Sequence, residues 1–374
     1  MAIINLPKAR AKQYSTVLDQ DKTYYFVQVV HAFEVPSVLD NVPIEILEFI
    51  RHGEIYLIIS NEFECFDEVV EEVYNSIIIP NKVPENKILF LSGAVEISSI
   101  SKNVTDKINK LNNTSYTGIN SKFFSWYEYA VAYYYKTSTN NTGTEMKRHL
   151  ALQGKINYKK HYLLMNHRWR FHRPTLVAIL KVKNLLDYGY VSLGSNDGNS
   201  NWENVYDALL NYNHTNSEIY NLLVENKNYI QNTPDLVLDK EDKSDTTYRS
   251  YFYRTIVPYF ETSFMSIVTE TYFYDRKTKF FSEKTFKPIA FLQPFILVSV
   301  PYSLETLRNM GYKTFHPYID ESYDIEEDNA TRMKMIIDEI ERISKLSLSE
   351  LKQLSLDCRN ICLHNQKLLL SKYL

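Results

Sequence analysis

Short, nearly unbroken apolar runs recur along this chain, separated by stretches with helical spacing. Tyr24 to Val30, Glu54 to Ser60 and Lys87 to Gly93 predict strands. The second and third have the composition of strands buried on both faces. Between them, Pro43 to Arg51 predicts a short helix, and Phe66 to Ile77 places Val69, Val70, Val73 and Tyr74 on one side of another. Strand–helix–strand alternation of this kind predicts a parallel α/β layer.

From Thr137 to Tyr158 the pattern turns polar, with Ser, Thr and Asn gathered before Gly143, and a domain boundary is expected there. The rhythm then restarts. His161 to Asn166, Tyr190 to Leu193, Ser266 to Thr271 and Pro294 to Val300 predict strands. Pro174 to Leu186, Trp202 to Leu210 and Ser217 to Asn226 predict helices, and from Ile325 onward the spacing is helical. The charged stretch Asp235 to Asp245 predicts a surface loop, and no fixed-period repeat is present. A chain of 374 residues fits two domains on size alone. The expected division is an acceptor-side α/β domain over 1–150, a nucleotide-binding α/β domain over 151–350, and a helix over 351–374 packing back across both.

Composition narrows the function less than the pattern does. Hydrophobic residues make up 44% and charged residues 23%, ordinary for a globular protein. A net charge of −3 gives no bulk basic surface, so nucleic acid is not indicated as a partner, although a local basic groove stays open. The 3 cysteines are too few and too odd in number for a disulfide framework. Met1 to Lys8 lacks a leader's apolar core, and no uncharged apolar run approaches the ~20 residues that span a bilayer. A cytoplasmic protein, in the host cytoplasm if viral, is the expectation.

Two clusters carry candidate chemistry. The first, Asn166-His167-Arg168-Trp169-Arg170-Phe171-His172-Arg173-Pro174, lies between a predicted strand and a predicted helix. Guanidinium groups at such a turn can grip phosphate oxygens bidentately, which makes Arg168, Arg170 and Arg173 candidates. The second is Ser282-Glu283-Lys284, ahead of a short apolar helix. Ser282 can cap that helix, Glu283 can accept from ribose hydroxyls, and Lys284 can hold a diphosphate. Pro288 leaves two starts open, one at Glu283 and one near Lys287.

The run from Glu270 to Asp324 resembles the C-terminal half of GT-B glycosyltransferases of the fucosyltransferase and exostosin-like type. Their Ser/Thr-Glu-Lys helix start and Pro-bearing strand are matched by Ser282-Glu283-Lys284 and Pro294-Phe295-Ile296-Leu297. Leu304 to Phe315 and Glu321 to Asp324 are similar to phage and giant-virus proteins of that group, and His172-Arg173 resembles the family's Asn-x-x-x-x-Arg turn. The resemblance implies a GT-B-like α/β fold, two Rossmann-like domains facing a central cleft. It implies transfer of a sugar from a GDP- or UDP-linked donor to a glycan or other hydroxyl acceptor, inverting and metal-independent, with no resident cofactor. By the match, Arg173 and Lys284 hold the donor diphosphate and Glu283 the ribose; the residues themselves add Arg168, Arg170, Ser282 and Lys287 to the expected donor-binding set. Lys287 and Pro288 stand where fucosyltransferases carry apolar or small residues, so the donor is not tied to GDP-fucose.

Inverting transfer needs a carboxylate to take the acceptor's proton. Glu64 is the candidate, in Asn61-Glu62-Phe63-Glu64-Cys65-Phe66-Asp67 after a predicted strand, with Glu62, Asp67, His31 and Glu34 as alternatives. No Asp-x-Asp follows a strand, and no metal site is expected; helix, Arg and Lys charge would stabilise the leaving diphosphate. The aromatic stretch Trp126 to Tyr135 reads as core before it reads as a sugar-stacking surface. Two other functions remain open at this stage: glycosyl transfer to modified bases of viral DNA, and carbohydrate binding without catalysis.

Overall fold

The computed structural model describes residues 2–6, 12–14, 17–29, 32–38, 40, 42–61, 67–137, 153–166, 169–194, 202–233, 236, 238, 257–274 and 278–373. The chain divides into two compact units. The first holds Met1–Ala130, Thr278–Phe281 and Tyr373, the second Val131–Lys277 and Ser282–Lys372. Each is an α/β unit on a parallel sheet, the Rossmann-like class that the apolar runs predict.

In the first unit the strands are β1 (Ala2–Ile4), β2 (Thr23–Gln28), β3 (Tyr56–Asn61), β4 (Ile88–Ser92) and β5 (Asn120–Phe123), adjacent in that order. The helices are α1 (Ile44–Arg51), α2 (Asp67–Glu72), α3 (Ile97–Asn112) and α4 (Trp126–Thr137), and the unit boundary falls within α4. Period-two alternation sorts the strand residues onto two faces. Tyr25, Leu57, Ile59, Ile88 and Phe90 meet Val69, Val70, Ile97 and Val104 from the crossover helices. Tyr24, Phe26, Ile58, Leu89 and Leu91 meet Tyr14, Leu18 and Phe124 on the other. Because the strand order never reverses, right-handed crossovers put successive helices on one face. After α2 the chain loosens into a π turn, Val73–Ile78, whose Tyr74 hydroxyl bonds Thr105 Oγ1 at 2.7 Å. The segment before Ser282 belongs to this unit. Lys279 pairs with Glu96 at 3.0 Å, and its carbonyl accepts the Val95 N–H at 3.1 Å.

The second unit has the sheet order β7-β6-β8-β9, with β6 Lys160–Asn166, β7 Gly189–Leu193, β8 Ser263–Thr269 and β9 Phe295–Val298. Its helices are α5 (His172–Val182), α6 (Trp202–Asn213), α7 (Ser217–Glu225), α8 (Lys227–Gln231), α9 (Val257–Thr262), α10 (Glu283–Ala290), α11 (Ser303–Asn309), α12 (Asn329–Ser344), α13 (Leu348–Asp357) and α14 (Arg359–Lys372). β8 and β9 are buried throughout, and α5 is buried from His172 to Leu180, as a helix covered all round must be. At Gly189 any Cβ would stand 2.0 Å from the Tyr162 ring, so the start of β7 admits only glycine. α14 packs on α10, with Gln366 Nε2 donating to the Ala290 carbonyl at 2.7 Å.

Several boundaries differ from the sequence expectation. α5 begins at His172, two residues early, and closes at Asn184, whose φ of 57 is the left-handed turn that ends helices. β8 stops at Thr269, leaving Glu270 just beyond the strand. α10 starts at Glu283, the earlier of the two open starts. Ser282 is its N-cap, accepting the Lys284 N–H at 3.3 Å. Pro288 stays inside, where its missing N–H forgoes one bond in a helix that ends two residues later.

Candidate functional site at the strand-order reversal

From β6 the chain steps to β7 on one side, then returns to β8 on the other. The strand order therefore reverses between β6 and β8, and open α/β sheets bind ligands beyond the carboxyl ends at such a reversal. Asn166 and Thr269 end these strands. Thr269 Oγ1 donates to Asn166 Oδ1 at 2.5 Å, stitching the two ends together. The turns that follow them, into α5 and α10, carry both clusters singled out in the sequence.

At the α5 turn the charged side chains face inward. Arg173 is 3% exposed and its Nη2 donates to the carbonyls of Thr269 at 3.1 Å and Glu270 at 3.2 Å. His172 Nε2 lies 2.9 Å from the same Glu270 carbonyl, an acceptor only, so Nε2 carries the proton. Burial, helped by Arg173, holds the His172 imidazole well below its usual range and therefore neutral. Its ring stacks on Phe273, with centroids 5.4 Å apart. Arg173 thus spends donor capacity on the end of β8. Arg170 is half-buried on the turn, its carbonyl accepting the Arg173 N–H at 2.7 Å. Arg168 lies outside the described residues.

At the α10 turn the charges stay partly exposed. Lys284 Nζ donates to Glu283 Oε1 at 2.7 Å, with the two side chains 25% and 18% exposed. Burial alone would raise the Glu283 carboxyl, but Lys284 and Lys287 hold it down at about 2, so it is ionised at neutral pH. Ser282 is buried and Lys287 half-buried on the same helix. Next door, the α11 N-terminus is already filled. Asp324 Oδ1 accepts the Leu304 N–H at 2.8 Å and Oδ2 the Glu305 N–H at 3.0 Å. Glu321 accepts the Phe315 N–H at 2.5 Å. The acidic Glu321–Asp324 segment therefore serves the turn around α11.

Two residues that sequence reasoning missed complete the surroundings. Glu270, fully buried, accepts the Ser282 N–H at 3.0 Å and the Thr285 hydroxyl at 2.5 Å, both through Oε1. Burial pushes its carboxyl up, against the opposing pull of Lys284. Arg332, 1% exposed in the first turn of α12, donates to the carbonyls of Ser299, Glu326, Glu327 and Phe273 at 3.2, 2.8, 3.3 and 2.7 Å. Desolvation lowers it to about 10, which leaves it a cation. Its only sequence signal is a charge on the helix face that also carries Ile336 and Ile340.

Glu64 and Glu62, the first-unit candidates for the acceptor's base, lie outside the described residues, as do His31 and His167. Glu34 is half-buried in a short 3-10 turn. In the aromatic stretch, Tyr135 is buried and Tyr133 exposed on α4. Among the described residues no three His, Cys, Asp or Glu gather into a group that could hold a metal, and no helix is long and apolar enough to cross a membrane.

No protein-family model matches the chain, and no curated protein matches it. Among solved structures, the N-terminal domain of Candida albicans trehalose-6-phosphate phosphatase is similar at a TM-score of 0.42. The two share 9% identity, over 97% of this chain and 92% of that one. A likeness that loose carries no argument about what this protein does.

Proposed function

We propose that this protein transfers a sugar from a GDP- or UDP-linked donor to a hydroxyl acceptor, with the donor diphosphate held at the N-terminus of α10. The observation that carries this reading is the Glu283–Lys284 pair. It stands partly exposed at the start of a helix beside a strand-order reversal. The ammonium and the positive end of α10 suit a diphosphate, and an ionised Glu283 suits ribose hydroxyls. Arg170 and Lys287, half-buried on the flanking turn and helix, add positive charge. As negative charge grows on the departing diphosphate, these groups stabilise it. The fucosyltransferase-like pattern of Ser282-Glu283-Lys284 and Pro294-Phe295-Ile296-Leu297 supports the same assignment.

Release of nucleoside diphosphate from a panel of UDP- and GDP-sugars, with simple glycosides as acceptors, tests the reading. Consumption of one donor, lost in Lys284→Ala, is the expected result. Failure of every donor either to bind or to turn over would overturn it.

A further inference from the structure

Glu270 belongs to neither charged cluster, yet it bonds to both. Its backbone carbonyl accepts from His172 Nε2 and Arg173 Nη2, at the α5 turn. Its carboxylate Oε1 accepts the Ser282 N–H and the Thr285 hydroxyl, on either side of Glu283 and Lys284. Oε2 is buried and has no hydrogen-bond partner among the described residues. Burying a carboxylate with one oxygen unpaired is costly, and stability alone would favour an amide or an apolar side chain there. What the side chain supplies is geometry: its Oε1 fixes the cap and the first turn of α10, while the same residue's backbone carbonyl is fixed from α5.

We propose that Glu270 is the positioning residue of this site, setting the first turn of α10 and through it the Glu283–Lys284 pair. This role rests on the donor reading above, and Glu270 reaches the donor only through the residues it holds. Gln293 is the matched control. It is equally buried and bonds Ser263, at the opposite end of β8, and Ser266 in its middle.

The experiment uses the full chain in four forms: wild type, Glu270→Ala, Glu270→Gln and Gln293→Met. Amide hydrogen exchange across 282–290, affinity for UDP and GDP, and the unfolding midpoint are read for each. Glu270→Ala is expected to speed exchange at Lys284 and Thr285 and weaken diphosphate binding, each by about tenfold or more. Glu270→Gln, whose amide oxygen keeps both acceptor contacts, restores both to within about threefold of wild type. Gln293→Met lowers the midpoint and leaves both unchanged. Wild-type exchange and affinity in Glu270→Ala, or equal loss of binding in Gln293→Met, overturns the positioning role. If the wild type binds neither UDP nor GDP, the donor reading fails. The exchange measurement then decides by itself whether Glu270 sets this turn.

Discussion

The carboxyl ends of the two sheets are finished in different ways. In the first unit, Asn61 Nδ2 donates to the Val29 carbonyl at 3.1 Å, and Ser92 Oγ accepts the Ala94 N–H at 3.1 Å. These neutral side chains finish β3 and β4, in a sheet whose order never reverses. In the second unit the order reverses between β6 and β8, and the ends there are bordered by His172, Arg173, Glu270, Glu283 and Lys284. Charged groups are costly to bury, so their concentration at this reversal supports the proposal that ligand chemistry belongs there.

The largest expected effect probes the support of that reversal. Arg332→Met leaves the buried carbonyls of Ser299 and Phe273, and the partly exposed ones of Glu326 and Glu327, without this donor and should cost about 3 kcal/mol or more, read by denaturant unfolding. A loss no larger than a surface substitution gives would show that Arg332 is not the clamp its bonds describe.

Next comes Lys284→Ala, expected to weaken diphosphate binding by about tenfold, or ~1.4 kcal/mol, and to cost about 1 kcal/mol of stability at neutral pH, because the largely buried Glu283 carboxylate loses its partner. A stability loss without a binding loss would return Lys284 to the role of an ordinary surface cation.

Acid titration sharpens the contrast between the two glutamates. Glu283 is held at about 2, so the stability it contributes is complete above its ordinary 4.5 and is lost as pH falls toward 2. Glu283→Gln should flatten that part of the acid-unfolding curve. Glu270 runs the other way: burial raises its carboxyl, so it costs stability as pH climbs past 4.5 and through its raised value. Glu270→Gln should therefore be the more stable protein at neutral pH. Unchanged acid profiles in both variants would contradict the charge assignments at this site.

The smallest effect belongs to the first unit. Tyr74→Phe removes the buried bond to Thr105 and should cost about 1 kcal/mol with no change in nucleotide affinity.

Much of the fold was legible because its core strands are apolar on both faces. Leu57, Ile58 and Ile59 have no polar alternation to confuse, and β3, β4, β6 and β9 fall within two or three residues of their predicted spans. The edge strands of the first sheet were not. β1 is three residues long, and β5, Asn-Ser-Lys-Phe, is mostly half-buried, so neither rises above loop composition. α3 carries Ile97, Ile100, Val104 and Ile108 at helical spacing within a sequence rich in Ser, Lys and Asn, and is diluted by them. At the site, the Ser282 cap and the exposed pair were readable as a motif. The inward turn of Arg173 was not, because its partners are carbonyls 96 and 97 residues away in sequence. Glu270 read as one more strand residue, since only the tertiary fold brings Ser282 and Thr285 onto its carboxylate.

Isothermal titration of the full chain with UDP and GDP, in wild type and in Lys284→Ala, tests the central claim most directly. Saturable binding of one diphosphate by the wild type, and about tenfold weaker binding by the variant, is the expected result. Binding that Lys284→Ala leaves intact, or none to either diphosphate, would contradict a donor site at the start of α10.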